Sequence, residues 1–190
     1  MPSTSNYRLP LIVMGLGNGK RFRSTRHNIG SDTVDYLVEH YKLSYHKNKK
    51  LHYAECDLFS RKIIFLKSDH GINVSGVALN AGLKQFFPEP YTKENVINNI
   101  LILHDDFETE FGLQKYILTG GHKGHNGVRN LIQILGGSNI RRIKLGIGRP
   151  LPHVDTAEFV IQKFCKMEES KLGTVKENAR LLFENILKDQ

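Results

Sequence analysis

Leu11-Ile12-Val13-Met14-Gly15-Leu16-Gly17-Asn18, near the start of a 190-residue chain, decides how the rest is read. An apolar run without alternation suits a strand buried on both faces, and the glycines that follow turn it into a loop. Such a strand needs cover on two sides, so amphipathic helices are expected around it. Residues 31–41 place Val34, Leu37, Val38 and Tyr41 at helical spacing, with Ser31 or Asp32 as N-cap. Residues 73–87 repeat the pattern with Val74, Val77, Ala78, Ala81 and Leu83, and Pro88 and Pro90 stop it. A glycine-rich loop over residues 120–127 feeds a third helix through Val128, Leu131, Ile132 and Leu135. Residues 167–187 form an amphipathic fourth, with Leu172, Val175, Ala179, Leu182, Phe183 and Ile186 on one side.

Further strands lie between these helices. Residues 100–104 and 143–147 are continuous apolar runs, and residues 112–118 partly alternate. Residues 53–59 and 62–67 read as a hairpin that turns at Ser60-Arg61, after a basic exposed stretch at residues 46–50. The alternation predicts an α/β fold: a single domain over residues 1–190, with a mixed sheet flanked by helices on both faces. Sheets of this kind hold ligands beyond their strand ends. The polar motifs fall there.

Composition narrows the setting. Hydrophobic residues make up 39% and charged residues 24%, ordinary for a globular chain. No apolar run is long enough to span a bilayer, and residues 1–10 lack the apolar core of a secretory signal. Cys56 and Cys165 lie far apart without metal-ligand spacing, which predicts two buried thiols in a reducing compartment. The formal net charge is +8, and its distribution is uneven: residues 1–150 carry 21 Lys and Arg against 12 Asp and Glu, residues 151–190 carry 6 against 7. A positive field over the first part favours encounter with polyanions.

Three polar clusters follow strands. The first runs from Gly15 through Asn18 and Lys20 to Thr25-Arg26-His27-Asn28. Its glycines admit a phosphate-cradling loop or a plain turn, but the Walker spacing is absent. The second, His104-Asp105-Asp106, closes a strand; a carboxylate there can fix a histidine tautomer through Nδ1 and leave Nε2 as a base. Asp106 is better suited to organising the turn. The third is Gly120-Gly121-His122-Lys123-Gly124-His125-Asn126-Gly127, whose small residues and amides suit close contact with a ligand. His104, Asp105, His122 and His125 also make a metal-dependent hydrolase conceivable, although no H-E-x-x-H helix is present. No nucleophile sits in a G-x-S-x-G turn, and Ser75 reads as a residue of a helix's first turn. A base, a carboxylate and several amides without an activated nucleophile point to water attacking an ester or amide.

In order and spacing these stretches resemble the bacterial-type peptidyl-tRNA hydrolase family. The resemblance is carried by Leu16-Gly17-Asn18, Thr25-Arg26-His27-Asn28-Ile29-Gly30, Asn73-Val74-Ser75-Gly76, His104-Asp105-Asp106, Gly124-His125-Asn126-Gly127 and Leu145-Gly146-Ile147-Gly148-Arg149-Pro150, and spans nearly the whole chain. It implies a monomeric, metal-independent and cofactor-free single domain with a twisted mixed sheet, acting on tRNA that carries a peptidyl or N-blocked aminoacyl group. It further implies that His27 is the base oriented by Asp105, that Asn18 stabilises negative charge at the ester, and that Asn73 and Asn126 hold the peptide backbone. His125 would line the cleft and Phe22 would take the place of the family's usual tyrosine. The chain departs from the family by Gly19 directly after Asn18, by Ile72 for a methionine, and by Ile117 and Lys144 at the positions of a phosphate-binding lysine and arginine. Lys20, Arg21 and Arg26 near the first loop, with Lys123, Arg142 and Lys144, are the candidates for tRNA phosphate contacts. The non-catalytic alternative is an RNA-binding protein on the same scaffold. No membrane association is expected. The basic charge fits the mitochondrial matrix, the favoured location, or the cytoplasm.

Overall fold

The computed structural model describes residues 8–19, 22–47, 51–68, 70–87 and 89–189. In chain order the elements are β1 (Leu11–Gly15), a 3-10 turn (Arg26–Asn28), α1 (Ile29–His40), β2 (His46–Lys47), β3 (Leu51–Leu58) and β4 (Arg61–Ser68). A second 3-10 turn (Ile72–Val74) leads into α2 (Ser75–Phe86), followed by α3 (Lys93–Ile97), β5 (Ile100–Asp106), β6 (Gln114–Ile117) and α4 (Asn126–Leu135). The chain ends with β7 (Arg141–Gly146), α5 (Thr156–Ile161), α6 (Lys166–Glu169) and α7 (Leu172–Lys188).

The described strands form one sheet in the order β2-β3-β4-β1-β5-β7-β6. Its centre is parallel, with β1 between β4 and β5 and with β5 beside β7; β3 pairs with β4 and β6 with β7 in antiparallel fashion. The parallel centre explains the unbroken apolar runs. Leu11, Val13, Leu101 and Leu103 face a core closed by α1 and α7, while Ile12, Met14, Ile100 and Ile102 face one closed by α2 and α4. The mixed sheet covered on both faces is the architecture expected.

Several local expectations need correction. The hairpin turns at Phe59-Ser60, one residue early, because both residues take positive φ (50° and 59°), the twist a two-residue hairpin needs. The basic stretch begins with two residues, His46 and Lys47, paired to β3. The C-terminal helix is broken between α6 and α7, and α3 and α5 appear where no helix was expected. Cys56 is half-buried and Cys165 is exposed, so only the first approaches a buried thiol. Ser75 is a fully buried helix residue whose hydroxyl donates to the Ile72 carbonyl at 2.7 Å.

One close approach sets the position of the segment that carries His27. A Cβ on Gly30 would lie 2.3 Å from the Leu103 carbonyl oxygen, so only glycine lets the start of α1 rest against the middle of β5. That contact brings the turn before α1 beside Asp105.

Candidate active site

His27 lies in the 3-10 turn that enters α1, and its ring is 9% exposed as a residue. Its Nδ1 stands 2.8 Å from Asp105 Oδ1 and 2.9 Å from Oδ2. A carboxylate only accepts, so Nδ1 carries a proton, and in the neutral ring the lone pair is on Nε2. The ring borders a cleft of about 550 Å³. Asn18, Asn73, Asn126 and Lys123 border the same cleft, as do Ile72 and Phe107. The sheet's strand ends therefore bring together residues that the chain places more than a hundred positions apart.

Asp105 is 3% exposed and also accepts from His125 Nε2 at 3.0 Å. His125 Nδ1 accepts the Val128 N–H at 3.3 Å, so the proton of His125 is on Nε2. Burial alone would raise the Asp105 carboxyl, but the imidazoles of His125 and His27 outweigh it and hold the group well below the usual carboxylate range. Asp105 thus stays ionised. His104, 3% exposed, hydrogen-bonds the Asp105 carbonyl through Nδ1, and burial pushes its pKa well below the ordinary histidine value. It is a neutral imidazole.

Asn18 is aimed by its neighbours. Its N–H donates to Asn28 Oδ1 at 2.7 Å, and its own Oδ1 accepts the Ile72 N–H at 2.9 Å. With the oxygen engaged, the amide nitrogen is the end left for a ligand in the cleft. Asn28, part of the motif but given no role by it, is thus what shapes the first loop.

Several of the remaining candidates are placed differently from expectation. His125 is not among the residues that line this cleft; its ring centroid lies 4.7 Å from that of His27, and it lines an adjoining cavity of about 200 Å³ with His104, Ile117, Arg142 and Lys144, the two cavities sharing Phe107 and Lys123. Phe22 is half-buried in the loop, its carbonyl accepting from the Thr25 hydroxyl, and it does not line the cleft. Lys123 is exposed at the cleft, as a phosphate contact requires. Arg142 is not: it is 2% exposed, and its guanidinium donates to the carbonyls of Gly120 and Gly121. Lys144 pairs with Asp106 at 2.8 Å, and Asp106 also accepts from Thr109, the turn-organising role expected of it. Arg26 is 7% exposed and pairs with Glu168. Lys20 and Arg21 lie outside the described residues.

A third group was missed. Asp155, Thr156, Ala157, Val160 and Ile161 form one wall of the cleft. Asp155 caps α5 by accepting from Ala157 N–H at 2.8 Å and Glu158 N–H at 3.1 Å. An aspartate with a glutamate three residues on is a helix-start signal the sequence did offer. Among the described residues, His27, Asp105 and His125 are the group whose ligand atoms gather within 4.8 Å of one another. The set of His104, Asp105, His122 and His125 is not gathered that way: His104 Nδ1 is turned to a carbonyl and His122 Nδ1 accepts the Gly124 N–H.

Residues 12–190 match the family described as Peptidyl-tRNA hydrolase. The chain is 34% identical over 186 residues to a peptidyl-tRNA hydrolase of Rickettsia bellii, covering 94% of this chain and 96% of that one. It is 33% identical over 174 residues to a chloroplastic peptidyl-tRNA hydrolase of Arabidopsis thaliana, covering 90% of this chain and 58% of that protein. A solved peptidyl-tRNA hydrolase from Acinetobacter baumannii superposes with a TM-score of 0.75 at 23% identity over 96% of both chains. A peptidyl-tRNA hydrolase in complex with n-propanol superposes at 0.79 with 24% identity, covering 95% of this chain and 91% of that one. At such identities the two structures speak for the fold.

Proposed function

Because the chain belongs to the peptidyl-tRNA hydrolase family, we propose that it hydrolyses the ester between a peptidyl or N-blocked aminoacyl group and the 3′ end of tRNA, with His27 as the base. His27 Nε2 takes a proton from water as the water oxygen attacks the ester carbonyl. Asp105 stabilises the imidazolium that forms and keeps the ring oriented. The Asn18 amide nitrogen donates to the carbonyl oxygen as it gains negative charge. The imidazolium then returns its proton to the departing ribose oxygen. The peptide's new carboxylic acid gives its proton to solvent, leaving a free carboxylate, a tRNA with its 3′ hydroxyl and an unchanged enzyme. Asn73 and Asn126, exposed on the cleft rim, are placed to hold the peptide backbone.

One observation carries this reading: an ionised, buried carboxylate fixes His27 so that its other nitrogen serves an open cleft. The assay is release of peptide from an N-blocked aminoacyl-tRNA. His27→Ala is expected to lower kcat by about 10²–10⁴-fold while tRNA binding persists. A fully active variant removes His27 from the mechanism. Wild-type protein that binds tRNA and leaves the ester whole moves the chain to a non-catalytic role.

The positive charge of residues 1–150 supports steering of tRNA through its phosphates, with Lys123 as the contact nearest the cleft. The protein is proposed to work as a monomer. Among the described residues no helix is long and apolar enough to cross a membrane. A mitochondrial or cytoplasmic location is proposed; the chloroplastic and Rickettsia relatives support an organellar or bacterium-like setting.

A further inference from the structure

Arg26 was a candidate for phosphate contact, yet it is buried in the protein. Its Nη1 donates to the Lys163 carbonyl at 2.5 Å and its Nη2 to Glu168 Oε2 at 2.6 Å. The guanidinium lies 4.5 Å from the Phe159 ring centroid and 5.2 Å from that of Phe164. Main-chain contacts run alongside: Arg26 N–H donates to the Gln162 carbonyl at 3.0 Å, and Thr25 pairs with Lys163 as an antiparallel bridge. Every partner belongs to the segment from α5 to α6. Glu168 is itself braced, since the same oxygen accepts the Cys165 N–H at 2.7 Å.

That segment carries the cleft wall that includes Val160 and Ile161. Residue 26 is also the immediate neighbour of His27. One side chain therefore joins the wall on which the substrate rests to the turn that holds the base. We propose that Arg26 is a positioning residue, a latch that holds the α5 wall at a fixed distance from His27, rather than a contact to tRNA. The planar fork matters here. It reaches a carbonyl and a carboxylate together while its flat face packs on two aromatic rings, which an ammonium group cannot reproduce.

The inference rests on the proposed hydrolysis for its kinetic readout but not for its structural one. Full-length Arg26→Lys and Glu168→Gln are compared with wild type in the ester assay and by hydrogen exchange. The latch predicts a rise in KM of about 5–10-fold in both variants, with kcat reduced less than about threefold. It also predicts faster exchange over residues 156–169 and an unchanged dependence of KM on salt. Lysine does not rescue. A phosphate contact predicts the opposite: near-normal KM in Arg26→Lys, no effect of Glu168→Gln, and for Arg26→Gln a shallower salt dependence, by about one released counterion. Either a wild-type KM in Arg26→Lys or unaltered exchange over residues 156–169 in both variants overturns the latch. If Arg26→Lys fails to fold, Glu168→Gln decides alone. If wild-type protein shows no hydrolysis, the functional reading fails, and the exchange measurement still judges the latch.

Discussion

The two walls of the cleft are built in different ways. One is made by strand ends and the turns that rest on them: Asn18 after β1, Ile72 and Asn73 after β4, and Asp105 in β5 behind His27. His27 and Asp105 are buried there and paired with each other, Asn18 is half-buried and hydrogen-bonded to Asn28 and Ile72, and Asn73 is exposed at the rim. The other wall is α5, a helix of six residues tied to the first by one arginine fork, a short bridge and two aromatic rings. The groups proposed to react, which need fixed geometry, sit on the wall built from the sheet. The opposite wall offers exposed apolar side chains, Ile161 being 47% exposed, which suits contact with varied peptides.

The comparison predicts unequal penalties. The largest belongs to the first wall. Asp105→Asn replaces an acceptor of two imidazole protons by a group that can accept through only one atom, so His27 loses its orientation and its partner in the charged state. A fall in kcat of about 10²–10⁴-fold is expected, with KM little changed; a loss under tenfold would show that the wall's rigidity is not what catalysis needs. On the other wall, Ile161→Ala is expected to raise KM only a few-fold with kcat unchanged, since trimming a half-exposed side chain removes about 1 kcal/mol of contact. Steady-state kinetics on peptidyl-tRNAs whose peptides end in small or large residues would sharpen this, the larger residue losing more.

A smaller effect should appear in stability against pH. His104 is held neutral by burial, its folded pKa far below the unfolded value of about 6.5. Below that pH the unfolded chain binds a proton the folded chain refuses, so stability falls as pH falls, by at most about 1.4 kcal/mol per pH unit. Urea unfolding at pH 7 and pH 5.5 measures it. His104→Asn should flatten the difference, and an unaltered slope would reassign it.

The two walls also differ in how far the sequence disclosed them. The first wall was legible because apolar runs mark the strands and polar clusters stand directly after them, while the choice of Asn18, His27, Asp105 and Asn126 within those clusters came from the family resemblance. The sequence was silent on direction. Arg26 and Arg142 look like surface cations in a basic stretch, and only the packing shows their guanidinium groups spent on Glu168 and on main-chain carbonyls. His125 is named by its motif, but which side of Asp105 it takes depends on where α4 begins. Residues 155–161 were missed because a helix of six residues shows too few turns for periodicity to register, although Asp155 and Glu158 mark its start. Masking by length, rather than weak packing, kept that wall out of sight.

Arg26 meets Glu168 across 142 positions of chain, whereas His27 meets Asp105 across 78. Contacts of such span form late, because the intervening loop must first be closed. During synthesis His27 and Asp105 have both emerged well before Glu168. The C-terminal stretch therefore serves both cleft and core: a chain cut short before Glu168 would lose the partner of Arg26 together with α7, the helix that closes one face of the sheet.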